Sequence, residues 1–184
     1  MDVNKFTEKT REALTTAQGL TSEMHHQELD IEHFILALLE QEPSLAARII
    51  DRCQVSSMQL TTDLRKGLDS RGRLPEASEV RFSRRMPTLI AKAEKEAKKL
   101  DDTYLSAEHI LLAACDENKN TDCGRFFNQY NLKRKTILEV AMGIRGGQKC
   151  DSANPEATYE ALSKYGSDLV ELARTGKLDP VIGR

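Results

Sequence analysis

The sequence has few of the features that assign a protein to a specialised class. It has no tryptophan, only four cysteines in 184 residues, and nearly balanced charge, with 27 Lys and Arg against 29 Asp and Glu. Nucleic-acid binding would need a strongly basic face. The longest apolar runs, 34–39 and 110–115, are far shorter than a membrane span. We therefore expect a globular protein that binds neither nucleic acid nor membrane.

Recognisable catalytic patterns are also missing. The four cysteines form no C-x-x-C pair, and no secretory signal precedes them, so we expect reduced thiols in a cytoplasmic protein. The sequence contains no G-x-S-x-G, no Cys-His signature and no P-loop of the form G-x-x-x-x-G-K-[ST]. We expect no enzymatic activity, no catalytic residues and no ATP bound through a P-loop.

The histidines do not have the spacing of a metal site. The candidates are His25, His26, His33 and His109. Zinc bound on one helix needs ligands three or four residues apart, as in H-E-x-x-H, and that pattern is absent. Adjacent Glu and His side chains on a helix point about 100° apart. We expect no metal, and an independent metal-dependent enzyme is kept only as a third functional hypothesis.

One segment of the sequence occurs twice. Residues 29–40 read LDIEHFILALLE, and residues 105–116 read LSAEHILLAACD. The offset of 76 also matches Phe6 with Phe82 and Leu14 with Ile90, and an offset of 77 then matches Arg48 with the equivalent Arg125. A register that holds over about 60 positions with one insertion indicates an internal duplication.

Each copy has the pattern of four helices. Apolar residues recur at helical spacing, and no stretch alternates with period two, so we expect little or no sheet. We predict an all-α fold of two pseudo-two-fold related four-helix repeats packed as one domain over residues 1–146. Repeat one covers about 5–70 and repeat two about 81–146. Two independent units are the alternative.

Polar residues stand where the helices should begin. Thr7 and Ser83 are predicted N-caps of the first helix in each repeat, and each follows a Phe. Asp30 and Ser106 are predicted N-caps of the second helices. Glu32 and Glu108 then fall in the first turn, where the helix dipole favours a carboxylate. The basic residues Arg81, Arg84 and Arg85 are interpreted as a solvated helix start.

The composition changes after the second repeat. Residues 147–157 are polar and are predicted to be a flexible linker. A further helix is predicted at 158–174, with Leu162, Leu169 and Leu172 on one side.

The duplicated unit with its EHILLA-type segment resembles the Clp N-terminal repeat domain. Residues 165–184, YGSDLVELARTGKLDPVIGR, resemble the entry into the first AAA+ ATPase module of the Clp family, in its disaggregase branch. The resemblance implies that residues 158–184 begin a truncated ATPase module. It also implies that ATP and Mg belong to the ATPase modules and that this part of the protein has no cofactor.

The resemblance implies a substrate-binding role. The domain would capture unfolded or aggregated proteins and pass them to a homohexameric AAA+ ring, with a DnaK-type chaperone as a further partner. In the family, the client groove is hydrophobic with a polar border, and that border falls on Thr7, Asp102 and Glu108. Each residue also has a structural interpretation: N-cap for Thr7, turn residue for Asp102, and helix-dipole partner for Glu108.

A second hypothesis comes from family members that feed a protease. The resemblance to them implies recognition of an adaptor, or of phosphoarginine at two equivalent sites. A glutamate would pair with the guanidinium, and the free amides of a helix start would bind the phosphate. The residues that match these roles are Thr7 with Glu32, and Ser83 with Glu108.

Overall fold

The structure of the protein is a computed structural model that describes residues 2–74 and 79–159. The helical periodicity of the two repeats corresponds to eight α-helices in it, four in each repeat. Repeat one contains α1 (Glu8–Glu23), α2 (Ile31–Glu40), α3 (Leu45–Arg52) and α4 (Ser57–Asp69). Repeat two contains α5 (Arg85–Lys99), α6 (Ala107–Ala114), α7 (Asp122–Gln129) and α8 (Arg134–Arg145). The prediction of an all-α fold with two four-helix repeats is confirmed.

Two short parallel strand pairings join the repeats. Strand β1 (Glu28–Leu29) pairs with β2 (Arg81–Phe82), and Leu29 lies opposite Phe82. The equivalent residues 76 positions away, Leu105 and Phe6, form an isolated parallel bridge. The two pairings are thus related by the same pseudo-two-fold relation as the helices. Within the described residues the strands are only two residues long, as the prediction of little sheet required.

Helices α2 and α6 lie at the centre of the molecule. Every residue from Ile31 to Leu39 and from Ala107 to Ala114 is buried, and the two helices contact each other. This explains why each duplicated segment is apolar on all sides after its Glu-His pair, since a helix without a solvent-facing side needs no polar face. One hydrophobic core includes residues of both repeats. The packing into one domain is confirmed, and the alternative of two independent units is wrong.

The duplication extends to the loop backbone. His25 and Asp101 both have left-handed φ values, 56° and 59°, and lie 76 positions apart. Gln54 and Asn131, 77 positions apart, have φ values of 63° and 54°. Residues with a side chain rarely adopt this region, so its recurrence at matching positions shows that the two repeats turn alike after their first and third helices.

The helix starts follow the predicted caps with one exception. The Thr7 side chain accepts from the Thr10 amide at the start of α1, and Asp30 and Ser106 precede α2 and α6. Helix α5 instead begins at Arg85, with Arg84 at the N-cap position. The prediction of Ser83 as N-cap was therefore wrong by one position, although its Oγ still accepts from the Arg85 amide at 3.3 Å.

The segment after α8 packs against the repeat domain. The amides of Thr103 and Tyr104 donate to the carbonyl oxygen of Cys150, at 3.2 and 3.0 Å, and Cys150 is buried. The Glu8 amide donates to the carbonyl of Ala153 at 2.7 Å. Residues 155–159 are helical. The predicted linker, 147–157, thus contacts the domain in this structure, and its flexibility stays a prediction. Beyond residue 159, the predicted helix and ATPase entry lie outside the described residues.

Candidate functional site

The strand pairings place each first-helix start beside the second-helix start of the other repeat. The Thr7 amide donates to the Leu105 carbonyl and the Ser83 amide to the Leu29 carbonyl, both at 2.9 Å. Thr7 therefore lies next to Ser106, and Ser83 lies next to Asp30. Two helix-start sites result, one at Asp30 and one at Ser106.

This arrangement corrects the pairing predicted for phosphoarginine. The sequence grouped Thr7 with Glu32 and Ser83 with Glu108, within each repeat. The structure groups Ser83 with the α2 start that carries Glu32, and Thr7 with the α6 start that carries Glu108. The physical reason is the parallel strand pairing, which exchanges the first-helix starts between the repeats.

In repeat one, the glutamate belongs to a buried ion-pair cluster. The two oxygens of Glu32 accept from Nη1 and Nη2 of Arg85, both at 3.1 Å, and Arg71 Nη2 lies 2.9 Å away. The Cys123 amide donates to Glu32 at 3.0 Å. Burial alone would raise the pKa of Glu32, but the two arginines and this amide outweigh burial and hold its pKa at about 2.

Asp30 connects this cluster to the helix start of repeat two. Its Oδ1 accepts from the Ser83 hydroxyl at 2.7 Å, and its Oδ2 accepts from Arg85 at 2.7 Å. Ser83 in turn accepts from the Arg85 amide. At the Asp30 site, the hydroxyl of Ser83, the carboxylate of Asp30 and the guanidinium of Arg85 therefore all come from residues within the two repeats.

In repeat two, Asp102 and Arg145 form the equivalent buried cluster. Arg145 Nη2 lies 2.5 Å from Asp102 Oδ1, and its Nη1 lies 3.5 Å from Glu108 Oε1. Asp102 also accepts from the Cys150 amide at 2.7 Å, and its Oδ2 lies 3.0 Å from His109 Nε2. Burial opposes the charge on Asp102, but these partners outweigh burial and lower its pKa well below the usual range.

The α1 and α6 starts share a carboxylate from far along the chain. The Thr7 hydroxyl donates to Glu156 Oε1 at 2.8 Å, and Ser106 Oγ lies 3.2 Å from the same oxygen. Ser106 Oγ also contacts the carboxylate of Glu108. Burial raises the pKa of Glu156, and the neighbouring Glu108 raises it further.

The side chains of all five predicted binding residues are buried in this conformation. Thr7, Glu32 and Glu108 are completely inaccessible to solvent, and Ser83 is 5% exposed. The side chain of Asp102 is also inaccessible. Their role in binding stays a prediction, and it requires a conformation in which a ligand can reach them.

Sequence reasoning missed the partners of these residues. Arg85 was interpreted as part of a solvated helix start, but it binds Glu32 and Asp30 and is only partly exposed. Arg145 is the last residue of α8 and Arg71 lies two residues after the end of α4, and this placement near the end of a fourth helix is the one signal that could have identified them. Glu156 had no signal, because 149 residues separate it from Thr7.

The histidines fix helix starts. His33 Nδ1 accepts from the Asp30 amide at 3.1 Å, and His109 Nδ1 accepts from the Ser106 amide at 3.0 Å. Across residues 2–74 and 79–159, no group of three or more His, Cys, Asp or Glu could hold a metal ion. No helix in the same residues is long and apolar enough to span a bilayer.

A shallow surface cavity lies beside Asp102. It has a volume of about 90 Å³ and is lined by Ala97, Leu105 and a set of polar residues: Lys5, Glu94, Lys98, Asp102 and Thr103. Its apolar part is formed by the α5 end and the residue before the α6 start, and charged side chains surround it. The cavity therefore has a small apolar floor, since Ala97 and Leu105 are 5% and 2% exposed, and a charged border.

Comparison with known proteins gives matches along the chain. The family described as Clp repeat (R) N-terminal domain matches residues 5–129. Chaperone protein ClpB of Nitratidesulfovibrio vulgaris is 43% identical over 188 aligned positions, which cover 100% of this chain and 22% of that protein. The chain thus spans about a fifth of the length of this relative.

The similar solved structures support the fold. The Hsp104 N-terminal domain from Candida albicans has a TM-score of 0.69 at 22% identity, covering 82% of this chain and 98% of that one. A ClpV N-domain in complex with VipB peptide has a TM-score of 0.59 at 22% identity, covering 75% and 89%.

Proposed function

Because the chain belongs to the Clp repeat N-terminal domain family, we propose that it is the substrate-binding N-terminal module of a ClpB-type, ATP-dependent protein disaggregase. In this role it captures unfolded or aggregated polypeptides in the cytoplasm. It passes them to a homohexameric AAA+ ring, with a DnaK-type chaperone as a further partner. The observation that carries the proposal is the match of the whole chain to ClpB chaperones.

Two further observations support a polypeptide-binding role. The ClpV N-domain, which has the same fold, forms a complex with a peptide. The cavity beside Asp102 offers an apolar surface formed by Ala97 and Leu105, and its border carries both charge signs through Lys5 and Glu94. A border of mixed charge suits clients of varied sequence, because no single side-chain charge is required. We assign first contact with the client to this cavity.

A matched pair of variants on helix α5 tests the cavity. Ala97 lines it, whereas Ala91 on the same helix is exposed elsewhere. Ala97→Leu should fill the cavity and weaken binding of a fluorescein-labelled, reduced and carboxymethylated polypeptide by about tenfold. Ala91→Leu should bind like the wild type. Equal affinities in fluorescence anisotropy for both variants, with both folded by circular dichroism, would refute this assignment.

A second set of variants tests the helix-start residues. Thr7→Ala and Glu108→Ala should weaken client binding while the domain stays folded. Loss of the Thr7 N-cap costs only about 1 kcal/mol, and Glu108→Ala leaves Arg145 paired with Asp102. Glu32→Ala is the internal control at the other site, where Glu32 pairs with Arg85. Because this variant loses a buried ion pair, its binding is compared at a temperature at which circular dichroism shows it folded. If Glu108→Ala binds the client as tightly as the wild type does, the assignment of client binding to the helix-start site at Ser106 is wrong.

Recognition of phosphoarginine is the second candidate function. In its favour, each repeat does bring a glutamate, a guanidinium and a helix-start hydroxyl together. However, the guanidinium beside Glu32 is that of Arg85, and the one beside Glu108 is that of Arg145, so residues of the chain itself fill both places. Titration with free phosphoarginine should give two sites if this function is correct, and no detectable binding would eliminate it.

A further inference from the structure

The two helix-start sites differ in where their carboxylate comes from. In repeat one, the Ser83 hydroxyl donates to Asp30, the N-cap residue of α2. The position equivalent to Asp30 in repeat two is Ser106, which has no carboxylate. There the equivalent hydroxyl, that of Thr7, donates to Glu156. At the Ser106 site, Glu156 therefore takes the role that Asp30 has at the other site, although Glu156 lies outside the two repeats.

Among the described residues, the segment that carries Glu156 is held by a small number of backbone bonds. They join Gln148 with Arg145, Cys150 with Asp102, Thr103 and Tyr104, and Ala153 with Glu8. Lys149 and Asp151 add side-chain contacts to Asp101 and Thr103. At its end, Tyr159 is buried, and the Arg145 guanidinium lies 6.0 Å from the centre of its ring. Elements held by few backbone bonds open at lower free energy than the core does.

The fit of this segment leaves buried polar atoms unsatisfied. Glu156 Oε2 and Tyr159 Oη are inaccessible to solvent and have no hydrogen-bond partner among residues 2–74 and 79–159. Burying such atoms opposes docking, because each loses its bonds to water. Glu156 also lies close enough to Glu108 for the Glu108 carboxylate to disfavour the charge on Glu156. The docked state is therefore stabilised by apolar burial and by the hydrogen bonds that Glu156 Oε1 accepts from Thr7 and Ser106. It is opposed by the unsatisfied Glu156 Oε2 and Tyr159 Oη and by the charge of Glu108.

We propose that residues 148–159 form a releasable latch that closes the helix-start site at Thr7, Ser106 and Glu108. This inference rests on the proposed function and adds its regulation. In the latched state, Glu156 covers Thr7 and Ser106, and Cys150 covers Asp102. Release of the latch exposes these residues together, beside the cavity at Ala97 and Leu105. Docking of the latch and binding of a client at these residues are mutually exclusive.

The thiol of Cys150 reports the latch directly. It is buried when the latch is docked and becomes reactive on release, whereas Cys123 lies in the core on α7 and reacts only on unfolding. The experiment treats the 184-residue chain with a maleimide and follows each cysteine by peptide mass spectrometry. The ratio of the two rates separates release of the latch from global unfolding.

Three variants set the direction of the expected change. Glu156→Ala removes the contacts to Thr7 and Ser106 and should speed modification of Cys150 about tenfold. Tyr159→Phe removes an unsatisfied buried hydroxyl and should slow it. Ser152→Ala is the control, because this side chain lies on the same segment but is exposed. Client affinity, measured by anisotropy, should rise in Glu156→Ala and fall in Tyr159→Phe.

The outcomes distinguish the latch from the proposed function. Equal Cys150 rates in all variants would overturn the latch. Rates that respond as expected, together with unchanged affinity for a client that binds, would overturn the competition between latch and client. Rates that respond while no variant binds client would refute the proposed function and leave the latch supported as a structural element.

Discussion

His26 Nδ1 lies 2.8 Å from His33 Nε2 in the interior of repeat one. Because His33 Nδ1 accepts from the Asp30 amide, its proton is on Nε2 and is donated to His26. Repeat two has Asp102 at the position of His26, and that carboxylate accepts from His109 Nε2 instead. The same helix start is thus fixed by a neutral imidazole in one repeat and by a carboxylate in the other.

Acid should destabilise the domain through this histidine pair. Burial, followed by the nearby His26 and Arg71, lowers the pKa of His33 from 6.5 to about 4. As pH falls, His33 is protonated in the unfolded state before it is protonated in the folded state. Its contribution to the free energy of unfolding is therefore fully present above pH 6.5 and is lost as pH falls toward 4. The loss from His33 should reach about 3 kcal/mol. Urea unfolding at several pH values between 7 and 4.5 measures it.

His26→Asp should abolish this loss by giving repeat one the arrangement of repeat two. A carboxylate beside His33 stabilises the imidazolium, so the pKa of His33 should rise and be visible in an NMR titration. His25→Asp is the matched control, because His25 is exposed and Asp101 is its equivalent. If the free energy of unfolding of His26→Asp falls between pH 7 and 4.5 as it does in the wild type, the histidine pair is not the cause of the acid destabilisation.

The buried ion-pair cluster of repeat one should be sensitive to loss of its acid. Glu32→Ala leaves Arg85 and Arg71 without their shared buried carboxylate and should destabilise the domain by about 3 kcal/mol or more. Glu12→Ala, which removes an exposed carboxylate paired with Lys9, should cost less than about 1 kcal/mol. Chemical denaturation measures the loss in free energy of unfolding for both variants. Equal losses would show that the buried ion pairs of Glu32 stabilise the domain no more than an exposed pair does.

Two glycines should respond to alanine in opposite directions. A Cβ at Gly124 would lie 2.2 Å from the carbonyl oxygen of Asn118, so Gly124→Ala must shift backbone and should cost about 1–3 kcal/mol. A Cβ at Gly143 on α8 meets nothing within 4 Å, so Gly143→Ala should stabilise the helix by about 0.5–1 kcal/mol. Thermal unfolding of both variants provides the test. Stabilisation by Gly124→Ala would contradict the close approach.

Much of the fold was predictable from sequence because the signals are local. The helices follow from apolar periodicity, and the caps at Thr7 and Asp30 follow from side chains that bond amides two or three residues ahead. The site was less predictable because its partners are distant in sequence. The exchange of helix starts between the repeats depends on the pairing of Leu29 with Phe82, which two residues of extended backbone do not reveal.

Docking of the latch should depend on pH. Burial and Glu108 raise the pKa of Glu156 above its ordinary value of 4.5, so docking is strongest below that value and weakens as pH rises through the raised pKa. The charged groups around it are Lys9, Arg48, Glu108 and Arg145, with Tyr159 on the same segment. Glu156→Gln keeps the acceptor oxygen without the charge.

Protection of Cys150 from modification should therefore respond both to pH and to the substitution Glu156→Gln. In the wild type, the Cys150 rate is divided by the rate of the same cysteine in the urea-unfolded chain at each pH, which removes the intrinsic pH dependence of thiol reactivity. This normalised rate should increase as pH rises. In Glu156→Gln the normalised rate should be lower than in the wild type at neutral pH and should stay constant. A normalised rate that is independent of pH in the wild type would show that Glu156 does not control docking.

The central claim is that a client and the latch compete for the helix-start site of repeat two. Its most direct measurement is the rate of Cys150 modification in the wild-type chain as an unfolded polypeptide is added. Coupling is reciprocal, so a client that binds only the released state must itself increase the released population. The account predicts that Cys150 modification rises with client concentration to saturation, while that of Cys123 stays constant. A Cys150 rate that remains constant, or falls, as the client saturates the chain would contradict it.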